Sequence, residues 1–101
     1  MASQKYNVLI YYHKPEYVDQ YKKLIEEHRQ DLKLFTCKTS QEINQNIADA
    51  DILFAGSTFP VQFLKEAKKL KWIQSMSAGV ENFTSSGLMS PEVILTKIKG
   101  V

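Results

Sequence analysis

The sequence predicts an α/β fold, a doubly wound parallel sheet of five strands with helices on both faces. Short apolar runs suited to buried strands recur about every twenty to twenty-five residues. Helical patterns separate the first four of these runs, and a proline or a capping residue stands where each helix would begin. This alternation is typical of βαβ units, whose crossover helices cover a parallel sheet.

Composition points to one ordinary globular domain. A chain of 101 residues suits a single domain, and its 44% hydrophobic and 24% charged residues exclude disordered and fibrous classes. Thirteen Lys and Arg against eleven Asp and Glu leave a net charge of +2, which does not favour nucleic acid as a partner. No run of about 20 apolar residues is present, as a membrane span would need.

Cysteine usage and the N-terminus indicate a cytoplasmic protein. The single cysteine, Cys37, cannot form an internal disulfide, and no Cys/His spacing predicts a metal site. The N-terminus is polar, and the apolar run that follows is shorter than the core of a signal peptide. We therefore expect a soluble protein in a reducing compartment, without a bound metal.

The first half of the chain predicts two strands and two helices. Residues 7–12 (NVLIYY) form an apolar run typical of a strand buried on both faces. An amphipathic helix with proline at its first position is predicted over about 15–29. Residues 32–37 predict the second strand. Thr39 with Glu42 three residues later is a capping-box pattern, which predicts the start of the second helix.

The second half predicts three more strands. Residues 52–56 (ILFAG) form a buried-type strand, and a third helix is predicted over 60–70, with lysines near its end that would complement the helix dipole. Residues 72–76 and 93–97 predict the fourth and fifth strands. The connection 77–91 is rich in Ser, Gly and Asn and predicts at most a turn or two of helix. The expected strand order is 2-1-3-4-5, and such folds bind ligands at the carboxyl ends of their strands.

Several chemistries known on this architecture are excluded by what stands at the strand ends. The sequence contains no GxGxxG and no GxxxxGK[ST], so it carries no nucleotide fingerprint. A phosphoacceptor receiver domain needs acidic residues after the first strand, where this chain has residues 12–14, and an aspartate at the end of the third, where it has Gly56. Of the residues that such a domain requires, this chain has only the lysine near the end of the fifth strand, Lys97. A flavodoxin needs a hydroxyl- and glycine-rich phosphate loop, which residues 13–15 do not supply.

Three titratable side chains are candidate functional groups. Cys37 lies at a strand end beside Lys38, a setting that can lower a thiol pKa, but a buried cysteine at the edge of the core is the favoured interpretation. His13, after the first strand, would face the ligand crevice, although a plain loop histidine is favoured. His28 lies on the apolar stripe of the first helix near its end, and we assign it to packing and to the helix dipole.

The most informative segment is 71–83 (KWIQSMSAGVENF), where a buried strand runs into a turn of small residues. Gly79 tolerates a positive φ, and successive backbone N–H groups of such a turn can converge on a carboxylate. A tight turn without a ligand explains the same residues, and at this point both interpretations stay open.

Residues 70–83 (LKWIQSMSAGVENF), preceded by DILFAGS at 51–57, resemble the amino-terminal part of the D-isomer-specific 2-hydroxyacid dehydrogenases. In that family a strand of the type lk-x-I-x-x-x-S-x-G-V-D delivers the loop that binds the substrate carboxylate. Glu81 departs from the aspartate that is commoner there. The order of elements extends the resemblance over essentially the whole chain and implies a flavodoxin-like (Rossmann-like), three-layer αβα fold.

The resemblance implies that residues 1–101 are the N-terminal segment of the substrate-binding domain of a truncated NAD(P)-dependent oxidoreductase. Such an enzyme acts on the CH–OH group of D-2-hydroxy acids by hydride transfer. NAD or NADP would bind to a second domain, absent from this chain, which also carries the family's catalytic arginine, acidic residue and histidine. We therefore expect no catalytic or cofactor-binding residue here and no activity of this chain alone.

The resemblance also assigns a substrate site. Ala78 and Gly79 would offer backbone N–H groups to the carboxylate, and Ser77 and Val80 would shape the turn. A second wall, matched more loosely, would set substrate size and polarity through three residues after the third strand: Ser57, Thr58 and Phe59.

The expected partner is a small 2-hydroxy or 2-oxo acid, with neither nucleic acid nor membrane. The family's substrate-binding domain is completed by a returning carboxyl-terminal helix, which lies outside this sequence. We therefore expect an uncovered sheet face that drives self-association, and a homodimeric parent enzyme. Two alternatives remain: a stand-alone, cofactor-free module that binds small carboxylates, and a flavodoxin-like interaction domain without a ligand.

Overall fold

The five predicted strands form one parallel sheet. The computed structural model describes residues 6–12, 14–28, 31–56, 59–75, 81–89 and 91–96. The strands are β1 (Tyr6–Tyr11), β2 (Leu32–Cys37), β3 (Ile52–Ala55), β4 (Trp72–Ser75) and β5 (Ile94–Thr96). Every neighbouring pair is parallel, and the order is β2-β1-β3-β4-β5. The α/β, flavodoxin-like fold and the expected strand order are confirmed.

In the described part of the chain, three α-helices and two 3₁₀ segments connect the strands. The α-helices are α1 (Pro15–His28), α2 (Ser40–Asn46) and α3 (Glu81–Thr84), and the 3₁₀ segments are Ile47–Asp49 and Val61–Glu66. The capping box is confirmed, because the backbone N–H of Glu42 donates to Thr39 Oγ1 at 3.2 Å at the start of α2. The single turn of α3 agrees with the short helix expected between β4 and β5. No helix in the described part of the chain is long and apolar enough to cross a bilayer.

The prediction of an α-helix over 60–70 is wrong. The chain forms a 3₁₀ helix that ends at Glu66, and the Ala67 N–H donates to the Leu64 carbonyl three residues back at 3.1 Å. The reason is visible in the apolar spacing, because Val61, Leu64 and Ala67 recur every three residues. That spacing matches the 3.0 residues per turn of a 3₁₀ helix, and all three residues pack against the core.

This correction changes the interpretation of the lysines. Lys65 lies in the last turn of the 3₁₀ helix, whereas Lys68 and Lys69 lie beyond its end and do not complement its dipole. Lys69 instead approaches Asp49 at 3.6 Å in an exposed ion pair. The prediction that His28 packs against the core is also wrong, because His28 is exposed. It is the last residue of α1, so its predicted interaction with the helix dipole is the part that remains.

The two faces of the sheet are covered to different extents. We call the face beneath α2, the 3₁₀ segments and α3 the closed face; its core includes Leu9, Leu53 and Ile73, none of which is exposed. We call the other the open face. There α1 packs on β1 and β2 through Val18, which contributes to a smaller core cluster with Val8.

The prediction that the strands are buried on both faces is confirmed for β1 and is wrong for β3 and β4. Val8, Leu9 and Ile10 are buried in succession along β1. Along β3 and β4 every second residue is buried and the intervening ones are partly or well exposed. The reason is that α1 covers mainly β1 and β2 and reaches β3 only in part, through the contact of Tyr21 with Phe54. In the described part of the chain, no helix covers the open-face side chains of β4.

Candidate functional site

The carboxyl ends of three strands meet at one edge of the sheet. Tyr11 of β1 is in register with Ala55 of β3, and Ala55 is in register with Ser75 of β4. The chain segments that follow these strands therefore start side by side. Ser57 comes two positions after Ala55, and Ser77 comes two positions after Ser75. The two predicted walls of the substrate site thus begin on adjacent strands, at the edge where such folds bind ligands.

Most of the predicted site residues lie outside the described part of the chain. These are Ser57, Thr58, Ser77, Ala78, Gly79 and Val80. His13 also lies outside it, as does Lys97. The assignment of backbone N–H groups at Ala78 and Gly79 to a carboxylate therefore stays a prediction.

Phe59 is the predicted wall residue that the structure describes. Its backbone N–H donates to the Gly56 carbonyl at 3.2 Å, which closes a turn directly after β3. Its side chain is 3% exposed, and its ring meets Tyr11 edge-on with centroids 5.8 Å apart. Phe59 is thus anchored in the closed-face core, four positions after the last residue of β3.

Phe83 is a supporting residue to which the sequence analysis assigned no role. It lies in α3, after the predicted carboxylate loop at 77–80, and is fully buried. Its ring stacks on Phe59 with centroids 6.1 Å apart and an angle of 29° between the ring planes. This aromatic contact joins the segment after β3 to the segment after β4. The sequence signal was an apolar residue four positions after Gly79, in the quoted motif itself.

The turn after α3 keeps Phe83 in place. The Ser86 hydroxyl donates to the Phe83 carbonyl at 2.8 Å and accepts from the Leu88 N–H at 3.1 Å. Gly87, between them, has a φ of 71°, in the left-handed region that glycine adopts without strain. The end of α3 is therefore closed by side-chain and backbone bonds within a few residues.

The described residues at the crevice between β1 and β3 include no glycine-rich turn of the dinucleotide-binding type. Strand order reverses at this point of the sheet, where related folds place a glycine-rich turn around a pyrophosphate. Here Tyr12 follows β1, and its ring lies 3.5 Å from the position that a Cβ on Gly56 would occupy. The same ring makes edge-on contacts with Tyr17 and Tyr21 of α1. An aromatic cluster thus lines the described part of this crevice.

Cys37 is a core residue, as the favoured interpretation expected. Its side chain is not exposed, and Asn46 Nδ2 lies 4.0 Å from its Sγ atom. Burial, with a smaller effect from the Glu42 carboxylate, raises the pKa of the Cys37 thiol to about 11. The thiol is therefore protonated at neutral pH and is a poor nucleophile. Among the described residues, no group of three or more His, Cys, Asp or Glu side chains is placed to hold a metal ion.

Comparison with known proteins agrees with the motif at 70–83. A sequence model described as the D-isomer specific 2-hydroxyacid dehydrogenase catalytic domain matches residues 8–100. The crystal structure of a D-isomer specific 2-hydroxyacid dehydrogenase family protein from Aeromonas salmonicida subsp. salmonicida A449 superposes with a TM-score of 0.83 at 23% identity. The alignment covers 97% of this chain and 31% of that one, so this chain spans about a third of its length. No curated protein matches. Because the matching sequence model extends over nearly the whole chain, this protein belongs to the D-isomer specific 2-hydroxyacid dehydrogenase family.

Proposed function

We propose that residues 1–101 form the N-terminal segment of a substrate-binding domain, and that this segment orients the carboxylate of a D-2-hydroxy acid or 2-oxo acid. The parent protein would be an NAD(P)-dependent oxidoreductase. The observation that carries the proposal is the contact between Phe59 and Phe83 at the carboxyl edge of the sheet. It joins Phe59, the last residue of one predicted wall, to Phe83, three residues beyond the other, and in this way supports the proposal.

The chemistry of the motif suits a carboxylate. The segment after β4 would present the Ala78 and Gly79 N–H groups, and hydrogen bonds from such groups to an anion are shorter and stronger than bonds between neutral groups. Each contributes roughly 1.5–3 kcal/mol. Two such bonds suffice to orient a small acid, although they bind it weakly without further contacts.

Hydride transfer is assigned to a part of the parent protein outside this chain. The nicotinamide cofactor, NAD or NADP, supplies the hydride when it is bound. In the described part of the chain, Tyr12 and its aromatic neighbours line the crevice between β1 and β3, which supports a cofactor site elsewhere in the parent protein. We therefore propose that the chain is inactive by itself.

The first test measures activity and binding separately. Incubation of the chain with NADH and pyruvate, glyoxylate or hydroxypyruvate should give no oxidation of NADH. Titration with oxamate, a non-reacting analogue of these acids, should shift the backbone amide resonances of Ala78 and Gly79 in a ¹⁵N-resolved NMR spectrum. Turnover of NADH would overturn the assignment of catalysis to another domain. Amide shifts confined to other residues would overturn the carboxylate site.

A second test removes one donor. Gly79→Pro deletes the backbone N–H and should weaken oxamate binding roughly ten- to a hundredfold, the equivalent of one charge-assisted bond. Gly79→Ala keeps the N–H and is the matched control for the loss of glycine, with circular dichroism to verify that both variants fold. Equal binding by the two variants would exclude the Gly79 N–H as a ligand. If the unmodified chain binds no oxamate at all, the ligand-free interaction domain is the better interpretation.

A further inference from the structure

The residues that end the strands on the closed face differ sharply in size. Register places Tyr11, the last residue of β1, between Cys37 of β2 and Ala55 of β3. Ala55 in turn lies beside Ser75 of β4. Cys37, Ala55 and Ser75 are small and fully buried, whereas Tyr11 packs on the closed-face core and stays partly exposed. Tyr11 is therefore the large side chain among these four residues, at the edge of the sheet that carries the proposed substrate site.

Packing fixes the direction of the Tyr11 ring. It meets the ring of Phe59 edge-on, with centroids 5.8 Å apart and an angle of 77° between the ring planes. Phe59 in turn stacks on Phe83, so the three rings form a continuous row from the end of β1 to the segment after β4. Phe59 and Phe83 are buried. Tyr11 is therefore the member of this row that a ligand at the carboxyl edge can contact.

The Tyr11 hydroxyl has no hydrogen-bond partner in the described part of the chain. A tyrosine hydroxyl both donates and accepts, and it usually finds a partner when its ring is packed. The next residue, Tyr12, has different surroundings, because its ring lies on the open face against Tyr17 and Tyr21 of α1. Of these two neighbouring tyrosines, Tyr11 is thus the one that offers a polar group to a ligand beside β3 and β4.

The group that the proposed site leaves unassigned is the substituent on C3 of the acid. The carboxylate is assigned to backbone N–H groups after β4, and C2 must stay accessible to the cofactor. A methyl group on C2 offers nothing to a tyrosine hydroxyl, whereas a hydroxymethyl group exchanges a hydrogen bond with it. Because a polar group of the site that is left unpaired costs free energy, such a site selects the ligand that has the matching hydroxyl.

From these observations we propose that Tyr11 is a specificity-determining residue of the substrate site. Its hydroxyl forms a hydrogen bond with a hydroxyl group on C3 of the acid, and the contact of its ring with Phe59 holds that hydroxyl in position. The preferred substrates are therefore 2-hydroxy and 2-oxo acids with a hydroxyl on C3, of which D-glycerate and hydroxypyruvate are the simplest. This role of Tyr11 rests on the proposed function, because it requires the carboxylate to be bound after β4.

A pair of acids that differ in one group tests this role. D-glycerate has a hydroxyl on C3, and D-lactate lacks it and is otherwise the same. Titration of the ¹⁵N-labelled chain with each acid, followed through the backbone amide resonances, gives the two dissociation constants. The unmodified chain should bind D-glycerate roughly three- to tenfold more tightly than D-lactate, the range that one hydrogen bond between uncharged groups supplies.

A variant removes the hydroxyl and keeps the ring. Tyr11→Phe should weaken the binding of D-glycerate roughly three- to tenfold, to the level of D-lactate, and should leave the binding of D-lactate unchanged. Tyr12→Phe is the matched control, because it removes the same group one residue further on, at the open face. It should leave both dissociation constants unchanged. Urea denaturation of the two variants measures any loss of stability separately from binding.

The results separate the role of Tyr11 from the carboxylate site. Equal weakening of both acids by Tyr11→Phe would show a structural effect and would overturn the role of Tyr11. An unchanged preference for D-glycerate in Tyr11→Phe, no preference in the unmodified chain, or the same loss in Tyr12→Phe would also overturn it. In these cases the carboxylate site stands, because D-lactate still binds. If the unmodified chain binds neither acid, the carboxylate site itself is overturned, together with the role of Tyr11.

Discussion

The two faces of the sheet are made from the same strands and yet differ in how fully they are buried. Leu53 on the closed face is completely buried, while its neighbour Ile52 on the open face is partly exposed. The same contrast separates Ile73 from Trp72 one strand away. These neighbours have similar apolar character, so strand composition did not decide their burial. Each face of a strand is buried only to the extent that another element covers it.

The contrast also has a functional consequence. The residues that support the candidate substrate site, Phe59 and Phe83, belong to the closed-face core. The exposed apolar side chains Tyr6, Trp72 and Ile94 belong to the open face. Because the two lie on opposite sides of the sheet, we expect changes on one side to leave the other largely undisturbed, and the predictions below test this separation.

The largest effect is expected at the aromatic contact beneath the site. Phe83→Ala removes a fully buried ring and should lower the free energy of unfolding by about 3–5 kcal/mol, because a cavity remains where the ring was. Urea denaturation measures this loss, and Phe83→Leu, which fills part of the space, should cost clearly less. A cost for Phe83→Ala near that of an exposed residue would show that the closed face does not support the site.

The next effect compares neighbouring residues of β3 directly. Leu53→Ala should cost about 2–5 kcal/mol of unfolding free energy, because Leu53 lies in the closed-face core. Ile52→Ala should cost less than half as much in dilute solution, because part of the Ile52 side chain is already in water. Urea denaturation of both variants at equal protein concentration makes the comparison. Equal costs would contradict the difference between the faces.

The smallest effect concerns the pH dependence of the closed face. Burial raises the pKa of Cys37 from its ordinary value of 9.0 to about 11, so the folded chain keeps this proton where the unfolded chain has lost it. The resulting stabilisation is complete below pH 9 and is lost as pH rises towards 11. It amounts to roughly 2–3 kcal/mol, because one pKa unit corresponds to about 1.4 kcal/mol.

The measurement is chemical denaturation at pH 9 and pH 11, with Cys37→Ala as the matched control. Other groups titrate in this range in both proteins. The contribution of Cys37 is therefore the difference between the two proteins in how much unfolding free energy they lose from pH 9 to pH 11. The unmodified chain should lose more stability than the variant between the two pH values. An equal loss of unfolding free energy in the two proteins would mean that Cys37 is accessible to solvent.

Much of the fold could be predicted because its signals are local. The rhythm of apolar runs predicted five parallel strands and their order, and Thr39 with Glu42 predicted the start of α2. The helix over 60–70 was wrong because apolar residues spaced by three were taken for a period of 3.6. Parallel topology predicted that the site lies at the carboxyl ends of β3 and β4. The register of Ala55 with Ser75 agrees with this prediction.

The support beneath the site could not be predicted in the same way. Phe59 and Phe83 are 24 residues apart, and no local pattern relates them. Their contact depends on how the segments after β3 and β4 pack on the closed face. The aromatic cluster of Tyr12, Tyr17 and Tyr21 is equally a product of packing, since it joins the end of β1 to α1 across the crevice.

The sequence by itself determined the elements that depend on neighbouring residues: the strands, the capped helix α2 and the motif at 70–83 that indicates the family. Only the tertiary structure decided which face of each strand is buried and which aromatic rings meet. The physical reason is that propensity and capping act over a few residues. Burial depends on whether a distant element comes to cover a surface, and among the described residues β4 is covered on one face alone.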